Sequence, residues 1–199
     1  MGHATPQTVM RVLRILLAIG FLVAFCGASA QDKVEGTAAD LATAEAFIDA
    51  FYSFDDGRLN ETLSSAQQSI PEILYYQGWA QGGHYLIVER QPCRASDSEV
   101  ACSITVEDDL IKALGFTFHV TDTFHLTIST GIISSVSTTS NDPPEFHDAA
   151  EWVKTERAER FQDSCRGYFA GGPTPQDCVK TMVAGFKEYA ATHMQARSK

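Results

Sequence analysis

The spacing of apolar residues changes along the chain from helical to strand-like and back to helical. The first part has a helix-face spacing at Leu41, Ala44, Ile48 and Phe51. It predicts a helix that follows a polar stretch to Gly36 and ends at Gly57. Asn60 is the expected cap of a second, short helix. A capping box at residues 69–72 predicts the start of a third helix, which the glycines at 82–83 end.

From residue 84 onward the period of the apolar positions is two, which indicates strands. Residues 84–93 and 99–108 flank a turn-rich segment and predict a hairpin. Residues 116–129 predict a long strand, and the turn at 130–131 leads to a final strand at 132–139. One face of the long strand is apolar around a single carboxylate: Phe116, Phe118, Val120, Asp122, Phe124, Leu126 and Ile128. The opposite face is formed by hydroxyl and imidazole side chains: Thr117, His119, Thr121, Thr123, His125, Thr127 and Ser129.

Two helices are predicted after this antiparallel meander, each introduced by proline. Asp142 is the expected cap of the first, whose apolar stripe is Phe146, Ala149, Ala150 and Val153. Thr174 begins the last helix, whose stripe is Val179, Met182, Phe186, Tyr189 and His193. The predicted order of helices, antiparallel sheet and further helices is an α+β arrangement.

The first thirty residues have the pattern of a cleaved export signal. Arg11 and Arg14 precede an apolar run at residues 15–27, and residues 28–30 form a small-residue cleavage site. The run is shorter than the roughly 20 residues that span a bilayer. We therefore predict a signal peptide at residues 1–30, cleavage before Gln31 and a secreted or periplasmic location.

One alternative and two consequences follow from this signal. Lipid attachment at Cys26 is the alternative processing, which the bulky Phe25 before it disfavours. Residues 31–38 are expected to be a flexible N-terminus. The chain has 15 Lys and Arg against 25 Asp and Glu, and removing the signal lowers its formal net charge from −10 to −12. With no basic cluster, we expect neither nucleic acid nor, after cleavage, a membrane as partner.

The four cysteines that remain after cleavage are Cys93, Cys102, Cys165 and Cys178. Thiols in an oxidising compartment usually pair, and four cysteines allow three connectivities. Pairing of Cys93 with Cys102 and of Cys165 with Cys178 is the simplest, since each pair brackets a short polar turn. Each bridge would contribute about 2–3 kcal/mol in the chain-entropy picture. Without a Cys-x-x-Cys motif or histidines at ligand spacing, we predict no metal site and no cofactor.

Over residues 39–140 the chain resembles the nuclear transport factor 2-like, or SnoaL-like, superfamily of cystatin-like α+β folds. The resemblance rests on the first helix at 41–54, the strand pair around Cys93 and Cys102, the connection at 108–115, and residues 120–126 followed by 131–132. It implies an α+β cone in which N-terminal helices pack on a curved antiparallel sheet. Residues 141–199 would then be an appended, disulfide-tied helical pair on the same domain. The family holds isomerases, cyclases, dehydratases, hydrolases and non-catalytic binding modules.

A cone of this kind implies a pocket between the helices and the sheet, which is a default ligand site. Asp122 would lie there among aromatic rings, where burial raises the pKa of a carboxyl and suits it to acid–base work. Glu89 shares a predicted strand face with Tyr85 and Ile87 and is expected to point inward too. A β-bulge would instead turn either carboxylate to the outer face. The candidate ligand-binding residues are Tyr52, Tyr76, Trp79, Phe118 and Phe124.

Three functions are compatible with this pattern. The preferred hypothesis is a secreted module that binds a small hydrophobic molecule or a partner, because no acid–base constellation is firm in the sequence. The alternative is a cofactor-free proton-transfer enzyme of the isomerase or cyclase type that uses Glu89 or Asp122. The third is a structural or adhesive homodimer through the Thr/His face, where His119 and His125 would be solvated or in the contact.

Overall fold

The computed structural model describes residues 28–96, 99–166 and 173–194. Within them the chain forms seven α-helices and a five-stranded antiparallel sheet, so the predicted α+β class is confirmed. The helices are α1 Ala28–Phe51, α2 Asp56–Thr62, α3 Ile70–Gly82, α4 Asp109–Ala113, α5 Pro144–Glu156, α6 Ala158–Ser164 and α7 Gln176–Tyr189. The strands are β1 Leu86–Arg90, β2 Arg94–Ala95, β3 Val100–Glu107, β4 Val120–Ser129 and β5 Ile132–Ser140.

The chain divides into two compact units between residues 38 and 39, and the sheet, helices α2 to α7 and the candidate site belong to the second. The apolar run of the predicted signal and Cys26 lie outside the described residues. No helix in the part of the chain that the structure covers is both long and apolar enough to cross a membrane.

Helix α1 begins and ends earlier than predicted. It includes residues 31–38, which were expected to be flexible, and it ends at Phe51 rather than Gly57. Phe54 has a φ of 56°, and the chain turns there into α2. The carboxylate of Asp55 accepts a hydrogen bond from the Arg58 amide at 3.0 Å, so Asp55 is the cap of α2. The prediction that Asn60 is this cap is wrong.

Two other side chains predicted near helix starts bond to distant parts of the fold instead. The hydroxyl of Ser69 accepts a hydrogen bond from the Val136 amide at 2.9 Å and ties the start of α3 to β5. The hydroxyl of Thr174 donates to the Tyr75 carbonyl at 2.7 Å, and α7 begins only at Gln176. The predicted start of α3 at residues 69–72 is therefore confirmed, but the side-chain hydrogen bond of the capping box is absent because the serine has a better-placed tertiary partner.

The sheet has the order β1-β3-β4-β5, and β2 pairs with β3. Residues of β3 and most of β4 alternate between buried and half-exposed, as the two-residue period predicted. On the buried face the ring of Phe124 contacts Phe47 and Phe51 of α1, with centroids 5.7 and 4.8 Å apart. The side chain of Gln77 donates to the Phe51 carbonyl at 2.8 Å and joins α3 to the end of α1. This face therefore forms the core against α1 and α3.

The Thr/His face is held by hydrogen bonds between neighbouring strands. The hydroxyls of Ser103 and Thr123 lie 3.0 Å apart, and those of Thr105 and Thr121 lie 2.9 Å apart. His125 has its own partners, Glu99 at 3.2 Å and Thr139 at 3.0 Å, and His119 lies 3.6 Å from Glu107. A homodimer through this face stays a prediction.

Both predicted disulfides, Cys93–Cys102 and Cys165–Cys178, are present. The second bridge joins the end of α6 to α7. The C-terminal region was predicted to be a pair of helices, but it contains three, α5 to α7. Helix α7 packs closely on its neighbours through glycines: a Cβ atom on Gly82 of α3 would lie 2.7 Å from Val179, and one on Gly185 would overlap Val153 of α5. The C-terminal helices thereby fit against both α3 and each other.

Candidate functional site

Asp122 lies on the buried face of β4, where the alternation of the strand predicted it. Its side chain is 1% exposed, between the buried Val120 and Phe124. Its Cα partner across the ladder is Ser140, the last residue of β5. The prediction that this carboxyl faces inward among aromatic rings is therefore confirmed.

Tyrosine hydroxyls surround this carboxyl. Tyr76 of α3 hydrogen-bonds to Asp122, and Tyr52 and Tyr85 are close enough to interact with its charge. Two buried polar atoms, the Asp122 Oδ2 and the Tyr52 hydroxyl, have no hydrogen-bond partner among the residues that the structure describes. Since nearly all buried polar groups in proteins are paired, two unpaired ones in one place mark a candidate site.

The surroundings of Asp122 bring its titration into the neutral pH range. Burial raises the pKa of Asp122 to about 7, and the hydrogen bonds from Tyr76 and Ser140 offset only part of that rise. Burial also raises the pKa of Tyr52, Tyr76 and Tyr85, with a further contribution from Asp122. The tyrosines therefore remain hydroxyl donors, and the carboxyl can exchange a proton in the neutral range.

A second carboxyl, that of Asp142, shares the hydroxyl of Ser140 with Asp122. Burial raises the pKa of Asp142, and the Ser140 hydroxyl and His147 offset part of the rise. Asp142 was predicted to cap α5, but Pro143 holds the capping position and no side chain caps this helix. A serine has one hydroxyl hydrogen, so it can donate to only one carboxylate at a time. The Ser140 hydroxyl can therefore satisfy only one of the two carboxyls at a time.

A cleft of about 340 Å³ opens beside this group, between α3, the end of β5 and α5. Its lining includes Tyr76, Trp79, Tyr85, Ser140, Asp142 and His147. Both hydrogen-bonding neighbours of Asp122 thus line the cleft, and the carboxyl lies behind them. Within the described segments, no three His, Cys, Asp or Glu side chains are grouped as a metal would require.

The predicted ligand-binding residues separate into three environments. Tyr76 and Trp79 line the cleft. Tyr52 and Phe124 belong to the core, where their ring centroids lie 6.4 Å apart. Phe118 precedes β4, is 41% exposed and contacts the ring of Phe116, so the expectation that it faces the pocket is wrong.

Glu89 is exposed on the outer side of the sheet, so the expectation that it points inward is wrong. The register between β1 and β3 shifts between Ile87, which is opposite Val106, and Glu89, which is opposite Thr105. One extra residue in β1 therefore turns Glu89 to the hydroxyl face. The side chain of Arg90, the next residue, lies on the other face of the sheet and contacts α1.

Sequence reasoning did not identify Ser140, Asp142 or His147 as site residues. A regular hairpin through the turn at 130–131 would pair Asp122 with Thr139. A register shift between Thr127 and Ile128 makes Ser140 the partner instead. The signal that was available is that Ser140 ends, and Asp142 closely follows, the strand that pairs with β4.

No protein-family model matches this chain, and no curated protein or solved structure is significantly similar to it. The resemblance to the nuclear transport factor 2-like superfamily therefore stays a prediction.

Proposed function

We propose that this chain is an exported small-molecule-binding protein of the nuclear transport factor 2-like kind, with its helices and sheet arranged as a cone. The ligand would occupy the cleft beside Tyr76, Ser140 and Asp142. The observation that carries this proposal is the pair of unpartnered buried polar atoms, on Asp122 and Tyr52, next to an aromatic cleft. The two disulfides are compatible with an extracellular location.

The composition of the cleft supports binding of a small organic molecule. Ligand sites combine apolar and aromatic walls with a few polar groups that orient the ligand. Here Trp79 and Tyr85 supply aromatic surface, and Ser140 supplies a hydroxyl at the wall nearest to Asp122. The volume of about 340 Å³ lies at the lower end of the usual range for such sites.

Titration with Nile red, a neutral fluorescent probe of apolar sites, tests this proposal. Ala150→Phe places a ring in the cleft and is expected to weaken Nile red binding at least tenfold. Ala42→Phe, on the exposed side of α1, is the matched control and should bind as the wild type does. Thermal melts of all three proteins check their folding. Equal binding by the folded Ala150→Phe variant would contradict the proposal.

A proton-transfer enzyme of the isomerase or cyclase type is the second candidate, and the contact between Asp122 and Tyr76 favours it. The ionised Asp122 would take a proton from the carbon next to a carbonyl group. The electron pair of the broken C–H bond would move onto the carbonyl oxygen, where a tyrosine hydroxyl stabilises the enolate. No cofactor is needed for this step.

Deuterium exchange tests the enzyme candidate. In D₂O, the wild type is expected to exchange the α-protons of 2-tetralone faster than buffer alone, as followed by NMR. Asp122→Asn should abolish the excess rate, whereas Glu89→Gln, on the outer face, should keep it. An exchange rate equal to that of buffer would contradict a proton-transfer function for ketones of this kind.

A further inference from the structure

The cleft is rich in aromatic faces. The rings of Tyr75 and Trp79 are stacked with centroids 6.3 Å apart, and those of Tyr76 and Tyr85 meet edge to face at 6.4 Å. Phe146 of α5 lines the opposite side. Aromatic faces attract cations. The walls are therefore suited to a ligand that carries a positive charge next to an apolar body.

The charged groups around the cleft also favour a cation. Asp142 lines it, and Asp122 lies behind Ser140. The two basic residues are His147, which is charged only when protonated, and Lys154, whose Nζ lies 3.8 Å from Glu151. A ligand carboxylate or phosphate would face two carboxyls, whereas an ammonium group would find acceptors.

The unpartnered Oδ2 of Asp122 adds an independent reason. It is an acceptor without a donor among the described residues, and its residue is 1% exposed. An ammonium group provides both positive charge and N–H donors, which a neutral ligand cannot combine. We infer that the ligand of the cleft is a small aromatic amine in its ammonium form, held by the aromatic walls and by the carboxyl of Asp142, with the carboxyl of Asp122 behind Ser140 adding to the negative charge. This inference rests on the proposed binding function and names its ligand class.

The inference has a pH signature. Because an ammonium group favours the ionised carboxyl, binding displaces the proton that Asp122 holds, and the affinity rises with pH by up to about tenfold per unit until that carboxyl is ionised. The other groups that face Asp122 are Tyr52, Tyr76, Tyr85, Ser140, Asp108 and Asp142.

Calorimetric titration with a matched pair of probes tests the inference. 2-Phenylethylamine and 2-phenylethanol share an aromatic body, but only the amine carries a charge. The disulfide-bonded wild type is expected to bind the amine at least tenfold more tightly than the alcohol at pH 8, and to lose that preference at pH 5.5. Asp142→Asn should weaken amine binding at least tenfold and leave the alcohol unaffected. Asp148→Asn, exposed on helix α5 that follows Asp142, is the matched control.

The outcomes separate this inference from the function on which it rests. If the alcohol binds as tightly as the amine, the ammonium inference is overturned and binding in the cleft stands. Unchanged amine affinity in a folded Asp142→Asn variant overturns the role of the carboxyls. If neither probe binds while Nile red does, the ligand class is wrong, and if none of the three binds, the proposed function fails as well.

Discussion

An aspartate buried against three tyrosines costs folding free energy whenever its carboxyl is ionised. Asp122 has a pKa of about 7 in the folded chain, against 3.8 as its ordinary value. Below about pH 4 the carboxyl is protonated in both the folded and unfolded states. As the pH rises from there to about 7, the unfolded chain releases the proton first, so the free energy of unfolding falls. A difference of about three pKa units corresponds to a loss on the order of 4 kcal/mol.

Asp122→Asn should remove most of this pH dependence. We expect the variant to be about as stable as the wild type at pH 4 and more stable at pH 8, because an amide does not ionise. Urea unfolding between pH 4 and pH 8 measures the difference, and Asp148→Asn is the exposed control. Parallel stability curves for the wild type and Asp122→Asn would show that the carboxyl is not the source of the effect.

At the level of elements, side chains near helix ends connect the helices to the rest of the fold. Ser69 bonds to β5 and Thr174 to α3. Asp108 differs, because its carboxylate accepts the amides of Leu110 and Ile111 at 2.8 Å and caps α4 as a local motif would. A capping motif in the sequence thus predicts the side-chain hydrogen bond of the cap only where no distant donor or acceptor competes for that side chain, as one does at Ser69.

The close approach of α7 to α5 depends on Gly185. A methyl group there would overlap the buried Val153. We expect Gly185→Ala to lower the free energy of unfolding by about 1–3 kcal/mol through overpacking, even though alanine is the better helix former. Urea denaturation measures the loss.

The second substitution Val153→Ala should restore part of the stability of Gly185→Ala, because it removes the methyl groups that the new side chain meets. Additive losses in this double-mutant cycle would contradict the contact. Gly115→Ala offers a contrasting case, since open space surrounds that residue and only its φ of 83° disfavours a side chain.

Across the whole molecule, the disulfides close one hairpin and fasten the last helix. Cys93–Cys102 spans 9 residues and Cys165–Cys178 spans 13. Short closed loops of this size restrict the unfolded chain and stabilise the fold by about 2–3 kcal/mol each in the chain-entropy picture.

Replacing both cysteines of either bridge by serine should therefore lower the free energy of unfolding by about 2–3 kcal/mol. Urea unfolding under oxidising conditions measures this loss, and the reduced wild type should resemble a variant that lacks both bridges. A variant as stable as the oxidised wild type would mean that its bridge does not constrain the unfolded chain.

The sequence by itself determined the features that depend on neighbouring residues. Periods of 3.6 and 2 separated helices from strands, short spacings selected the two cysteine pairs, and alternation put Asp122 on the buried face with Phe124. Each of these features is local, because it depends only on residues a few positions apart in the chain.

Only the tertiary structure decided how these pieces meet. Single extra residues in β1 and β5 turned Glu89 outward and made Ser140 the partner of Asp122. The packing of α5 beside β5 then brought His147 to the same cleft. A one-residue register shift changes few local contacts but reverses the face of each side chain beyond it, so no local pattern could predict that Glu89 would face outward.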